Sequence, residues 1–116
     1  MNPNDGLGYN IFRYNIGGGE NPNHKHMRAY GDIQGYQPSS GVWNWNADAT
    51  QRAVLNGLIG RGEYYGPDMI LEAFPNSPPY WMTKSGCASG NSDGSNNLKD
   101  DYYDDFAEYL TMFMAI

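Results

Sequence analysis

The chain has 116 residues, 40% of them hydrophobic, and a formal net charge of −6 from 13 acidic against 7 basic side chains. No run approaches the roughly 20 apolar residues of a membrane span, and no basic patch of the kind phosphate binding requires can be drawn. The single cysteine, Cys87, excludes an internal disulfide and any multi-cysteine metal site, so membrane and nucleic acid are not expected as partners.

The remaining composition is 15 Gly, 10 Tyr and 3 Trp with many Asn, which is not a disorder signature because disordered chains are poor in aromatics. It describes long ordered loops that present ring faces and amide groups. Neutral polyhydroxylated ligands need that combination, since their C–H faces stack on rings and their hydroxyls pair with amides.

Met1-Asn2-Pro3-Asn4-Asp5-Gly6 has neither a basic n-region nor an apolar h-region, so no signal peptide is legible there. Tyr9 to Ile16 reads as a strand by its β-branched and aromatic content, stopped by Gly17-Gly18-Gly19. A long loop rich in glycine follows, through Gly41. The next element is a helix near 47–61, opened by a capping-box pattern of Asp48 with Gln51, and carrying Val54, Leu55, Leu58 and Ile59 on one apolar face. Gly60 and Gly62 supply its stop.

A short connection through Pro67 leads to a second strand, Met69 to Phe74. That strand runs into Asn76-Ser77-Pro78-Pro79-Tyr80-Trp81-Met82, where two prolines fix φ and remove donors, so the turn is expected neither to continue the strand nor to begin a helix. A second long loop reaches Lys99. The last helix, near 101–115, has an acidic first turn suited to the helix dipole and an apolar stripe of Phe106, Tyr109, Leu110 and Phe113.

The order βαβα implies parallel strands joined by right-handed crossovers. Both long loops follow strands, while the one helix-to-strand connection is short. In a barrel of alternating strands and helices the loops after strands form the active face, and here they hold the aromatic and Asn content. A closed barrel needs eight such units and typically about 250 residues. The expectation is therefore an α/β fold, a partial (β/α)8 TIM barrel of about two βα units, with residues 1–116 a fragment of one catalytic domain. That the sequence stops inside the apolar face of Phe113-Met114-Ala115-Ile116 fits the same expectation.

Gly8-Tyr9-Asn10-Ile11-Phe12-Arg13-Tyr14-Asn15-Ile16-Gly17-Gly18 resembles the second barrel strand of glycoside hydrolase family 30. Trp43 to Arg52 is similar to the segment opening the next helix in the endo-β-1,6-galactanase-like branch, and Asn76 to Met82 resembles the turn after the third strand. Asn96-Asn97-Leu98 and Phe106-Ala107 continue the match, in order, over nearly the whole chain.

The resemblance implies a (β/α)8 barrel that hydrolyses β-linked glycans such as β-1,6-galactan with retention, by two carboxylates about 5–5.5 Å apart. It places that pair at strands four and seven, outside this chain. No catalytic residue is therefore assigned, and the chain alone is expected to be inactive. Neither metal nor organic cofactor is called for. The expected partners are a carbohydrate substrate and the remainder of the barrel; family members are commonly exported, which points to a secreted or periplasmic site.

Several residues carry two readings. A strand arginine ordinarily reaches solvent, but Tyr9, Ile11, Arg13 and Asn15 share one face, which the resemblance places inside the barrel. Arg13 would there orient a nucleophile carboxylate by charge-assisted hydrogen bonds. Trp81 is either a core ring or a wall of the subsite beside the cleaved bond, and Trp45, with Trp43, either packing or a sugar platform. Asn15 and Asn76 either shape turns or donate to sugar hydroxyls. The substrate-binding set is thus Arg13, Asn15, Trp45, Asn76 and Trp81.

Glu20, Glu63, Glu72 and Glu108 are weak catalytic candidates; Glu72, if buried in its strand, needs a partner for its charge. His24-Lys25-His26 reads as a solvated loop rather than a metal site, and Asn91 to Tyr102 lacks the glycine and glutamate of a calcium loop. Asp100, Asp101, Asp104 and Asp105 read as a solvated helix start, and Cys87 as an incidental loop thiol. The rival reading is a non-catalytic carbohydrate-binding protein using the same aromatic and Asn-rich loops.

Overall fold

The computed structural model describes residues 6, 9–23, 33–60 and 69–115. In chain order these form strand β1 (Ile11–Ile16), helix α1 (Ala49–Ile59), strand β2 (Ile70–Pro75) and helix α2 (Tyr103–Met114), with single 3-10 turns at Tyr80–Met82 and Asp100–Tyr102. The strands pair in one parallel two-stranded sheet. The expected βαβα order holds, with shorter elements: Tyr9 and Asn10 stay outside β1, and α1 begins at Ala49. Residues 61–68, which include Gly62, Glu63 and Pro67, lie outside the described residues, as does His24-Lys25-His26.

The chain divides into two compact units, one from residues 1–15 and 49–74, the other from residues 16–48 and 75–116. In the first unit the Ile70 N–H donates to the Asn10 carbonyl at 2.8 Å. In a parallel ladder that bond sets Ile11 beside Ile70, Arg13 beside Glu72 and Asn15 beside Phe74. Side chains alternate across the strand, so these six share one face. The sheet register thus selects the neighbour of every side chain on that face.

Helix α1 buries none of its residues, and Val54 and Ile59 are exposed. The apolar face predicted there is present but only half-covered, at Leu55 and Leu58. The predicted capping box also takes another form. The Gln51 amide pairs in both directions with the Asn15 backbone, accepting from its N–H and donating to its carbonyl, both at 2.9 Å. Asp48 adopts φ of 55°, a conformation Asp tolerates better than most residues. Its two carboxylate oxygens accept the Gln34 and Gly35 N–H groups, each at 3.1 Å.

The first unit buries Tyr14, and the second holds the rest of the core, built from Ile16, Tyr36, Ala47, Met82, Cys87 and Tyr109. Tyr109 is its centre at 0% exposure. The Tyr109 hydroxyl donates to the Gly17 carbonyl at 2.7 Å and accepts the Tyr36 N–H at 3.2 Å, which satisfies two loop backbones at once. Phe106 stacks on the Tyr109 ring, and Phe113 lies against Tyr36. The predicted stripe on α2 is therefore the inward one.

Burial pushes the Tyr109 phenol up to about 12 from its ordinary 10.0, with the Asp48 carboxylate adding to the rise and the Tyr36 N–H opposing it. A group that holds its proton more tightly when folded stabilises the fold in full below its unfolded pKa and loses that contribution as pH rises through its folded one. Two units correspond to about 2–3 kcal/mol. The stability gap between the wild-type protein and Tyr109→Phe is expected to narrow by that amount between pH 10 and 12, measured by urea unfolding at each pH. A gap constant across the window would show that Tyr109 titrates normally.

The Asn76–Met82 turn departs from expectation in one respect. Pro79 holds φ −48° and ψ 137°, and the 3-10 turn Tyr80–Met82 starts immediately after it. Two prolines therefore do not prevent a helical turn; Pro79 sits before its first residue, where no donor is needed.

Candidate functional site

Arg13 is the centre of the first unit's polar face. Its Nε lies 2.9 Å from Glu72 Oε2, and its guanidinium carbon stands 3.9 Å from the centroid of the Phe74 ring. Two contacts thus hold the guanidinium, one at its Nε and one over the Phe74 ring. The side chains are 56% and 52% exposed, so Glu72 is not buried in its strand. Its charge is nonetheless partnered. Asn15, further along the same face, has its backbone held by Gln51.

In the second unit Trp81 follows the rigid proline pair. Its indole Nε1–H donates to the Gln37 carbonyl at 2.9 Å, so the ring presents area rather than a donor. Tyr102 meets it edge to face, with centroids 5.5 Å apart at 87°. The Lys99 ammonium donates to the Trp81 carbonyl at 3.2 Å and lies 5.5 Å over the Tyr102 ring. Gln37 Oε1 is buried without a hydrogen-bond partner among the described residues, and a hydroxyl or amide donor brought to it would relieve a desolvation cost.

Trp43 and Trp45 stack at 4.9 Å and 7°, with Tyr109 against Trp43 and Tyr36 against Trp45. Trp45 keeps 39% of its surface exposed. It is therefore a packed ring with an open margin. Asn76 is exposed directly after β2.

Replacing Trp81 by phenylalanine removes the donor that satisfies the Gln37 carbonyl while keeping an aromatic face for Tyr102. The expected loss is about 1–2 kcal/mol, read from urea unfolding followed by circular dichroism. No loss would mean that the indole N–H contributes nothing to holding the turn.

Sequence reasoning singled out Arg13, Asn15, Trp45, Asn76 and Trp81. It did not find the partners that orient them: Phe74, Gln37, Lys99 and Tyr102, nor the pairing of Glu72 with Arg13. The one usable signal was parity, since Glu72 and Phe74 alternate on β2 as Arg13 and Asn15 do on β1; the register that joins the two sets is a tertiary fact. Among the described residues no group of three or more His, Cys, Asp or Glu could hold a metal ion, and no helix is long and apolar enough to cross a membrane.

The model of the O-glycosyl hydrolase family 30 matches residues 2–115. An endo-beta-1,6-galactanase of Hypocrea rufa is 39% identical over 120 residues, covering 90% of this chain and 24% of the relative. The chain thus spans about a quarter of the curated relative it matches. The crystal structure of a conserved exported protein from Bacteroides fragilis superposes with a TM-score of 0.71 at 25% identity, over 91% of this chain and 21% of that one. The likeness runs through both βα units, as a partial (β/α)8 barrel requires.

Proposed function

The chain belongs to O-glycosyl hydrolase family 30, and we propose that it is part of a retaining glycosidase that cleaves β-linked glycans, β-1,6-galactan first among them. The observation that carries the substrate is the 39% identity to an endo-beta-1,6-galactanase along 90% of the chain. In this reading each unit contributes sugar-binding surface of its own, the first through Arg13 and Asn15 on β1, the second through Trp45, Asn76 and Trp81 on the loops after strands.

The chemistry assigned to this surface is binding and orientation. The Arg13 guanidinium, held over the Phe74 ring, is a donor that orients a nucleophile carboxylate and keeps it ionised. The Trp81 ring offers its face to sugar C–H groups, and the asparagine amides offer donors to hydroxyls. Cleavage itself needs an acid/base and a nucleophile carboxylate about 5–5.5 Å apart. We assign both to the remainder of the barrel and expect the 116-residue chain alone to be inactive.

The test is expression of the complete reading frame and assay on a panel of β-linked glycans by release of reducing sugar. Cleavage of β-1,6-galactan with β-configured first products, seen by proton NMR, is the expected result. Binding of galactan without cleavage would replace the enzyme by a carbohydrate-binding protein. Indifference to every glycan would remove the hydrolase reading.

A further inference from the structure

We infer that Glu72 is a positioning residue for Arg13: its carboxylate holds the guanidinium over Phe74 and so sets the direction of the N–H donors that remain for substrate or a catalytic carboxylate. The inference rests on the proposed hydrolase function and adds to it a residue acting one step behind the sugar-binding set.

Three observations converge on it. The ladder bond from Ile70 N–H to Asn10 O puts Arg13 and Glu72 directly side by side, so the pair is built into the strand register; a slip of one residue would send the two to opposite faces. The contact is made at Nε, 2.9 Å from Oε2. Nε is the guanidinium nitrogen nearest the main chain, and engaging it leaves most of the side chain's donors on the far end. The ring of Phe74, the next same-face residue on β2, supports the guanidinium from one side at 3.9 Å.

Stabilisation of the fold does not account for the arrangement. Both side chains are more than half exposed, and exposed ion pairs contribute little because solvent screens them. An arginine free to rotate would satisfy the same charge with far less geometry. What Glu72 and Phe74 supply together is a single orientation, and orientation is what a donor needs if it is to hold a catalytic carboxylate in line with the bond it attacks.

The test uses the full-length protein with Glu72→Gln and Glu72→Asp. Glutamine keeps size and a hydrogen-bond acceptor but removes the charge; aspartate keeps the charge on a shorter stem. For Glu72→Gln we expect kcat on β-1,6-galactan to fall about 10- to 100-fold with KM within threefold, and Glu72→Asp to recover part of the loss. A purely structural role would lower the melting temperature of both variants and leave the kcat of the folded fraction unchanged; that result overturns the inference.

A crystal structure of Glu72→Gln supplies the reading that needs no activity. The guanidinium should leave the Phe74 ring, and if it remains within about 4 Å of the centroid Glu72 does not position it. Should wild-type protein cleave no glycan, the proposed function fails, and the place of Arg13 in that crystal structure still decides whether Glu72 holds it.

Discussion

Gly35→Ala is expected to destabilise the protein by more than about 4 kcal/mol, among the largest effects of any single substitution. Gly35 has φ of 70°, and a Cβ built there falls onto the Gly17 carbonyl oxygen and within 2.5 Å of the Tyr109 hydroxyl. Neither neighbour is free to withdraw. The Gly17 carbonyl accepts the Tyr109 O–H, and the same hydroxyl accepts the Tyr36 N–H, so relieving the clash breaks buried hydrogen bonds on both sides. The left-handed backbone adds roughly 1–2 kcal/mol of its own.

Gly41 separates the two contributions. It shares φ of 70°, but a Cβ there meets nothing within 4 Å. Gly41→Ala should therefore cost only the backbone term, roughly 1–2 kcal/mol. Urea unfolding of the two variants side by side tests this. Equal losses would mean that the crowding around Tyr109 relaxes freely and that the core is not built on this contact.

Arg13→Lys in the full-length protein is expected to lower kcat on β-1,6-galactan by about 10²- to 10³-fold, the range for losing one pre-aligned hydrogen-bond donor in an active site. Lysine preserves the charge but has no planar group to lie on Phe74 and no fork of donors. The exposed Arg13–Glu72 pair contributes under about 1 kcal/mol to stability, so the variant should melt close to wild type. The loss would then be one of geometry. Retention of kcat within threefold would show that a positive charge suffices at this position and would remove the orienting role assigned to the guanidinium.

Much of the architecture was legible from local patterns. The β-branched and aromatic run ending in Gly17-Gly18-Gly19 is a strand in the structure, and Met69 to Phe74 is a strand displaced by one residue. The stripe of Phe106, Tyr109, Leu110 and Phe113 is the inward side of α2. Period, punctuation and loop asymmetry act within a few residues of one another, so they can be read along the chain. Family membership was legible for a related reason: the matching segments keep their order over nearly the whole length.

The local pattern misled where a side chain found a distant partner. Asp48 and Gln51 are spaced for a reciprocal cap, yet Asp48 accepts the Gln34 and Gly35 N–H groups and Gln51 pairs with the backbone of Asn15, 36 residues away. Val54 and Ile59 have the spacing of a buried face and stay exposed. Spacing states what a helix is able to bury, while burial depends on whether another element covers it.

The sequence alone determined the element order and the family of this protein, and singled out five residues proposed to bind sugar. Only the tertiary structure decided that Arg13 lies on Phe74 beside Glu72, that the Trp81 indole N–H is taken by Gln37, and that Tyr109 ties Gly17 to Tyr36. The reason is the nature of the interactions. Hydrophobic periodicity is short-ranged along the chain, whereas a hydrogen bond between residues 92 positions apart, such as Tyr109 to Gly17, is directional and exists only once the fold has set both ends in place.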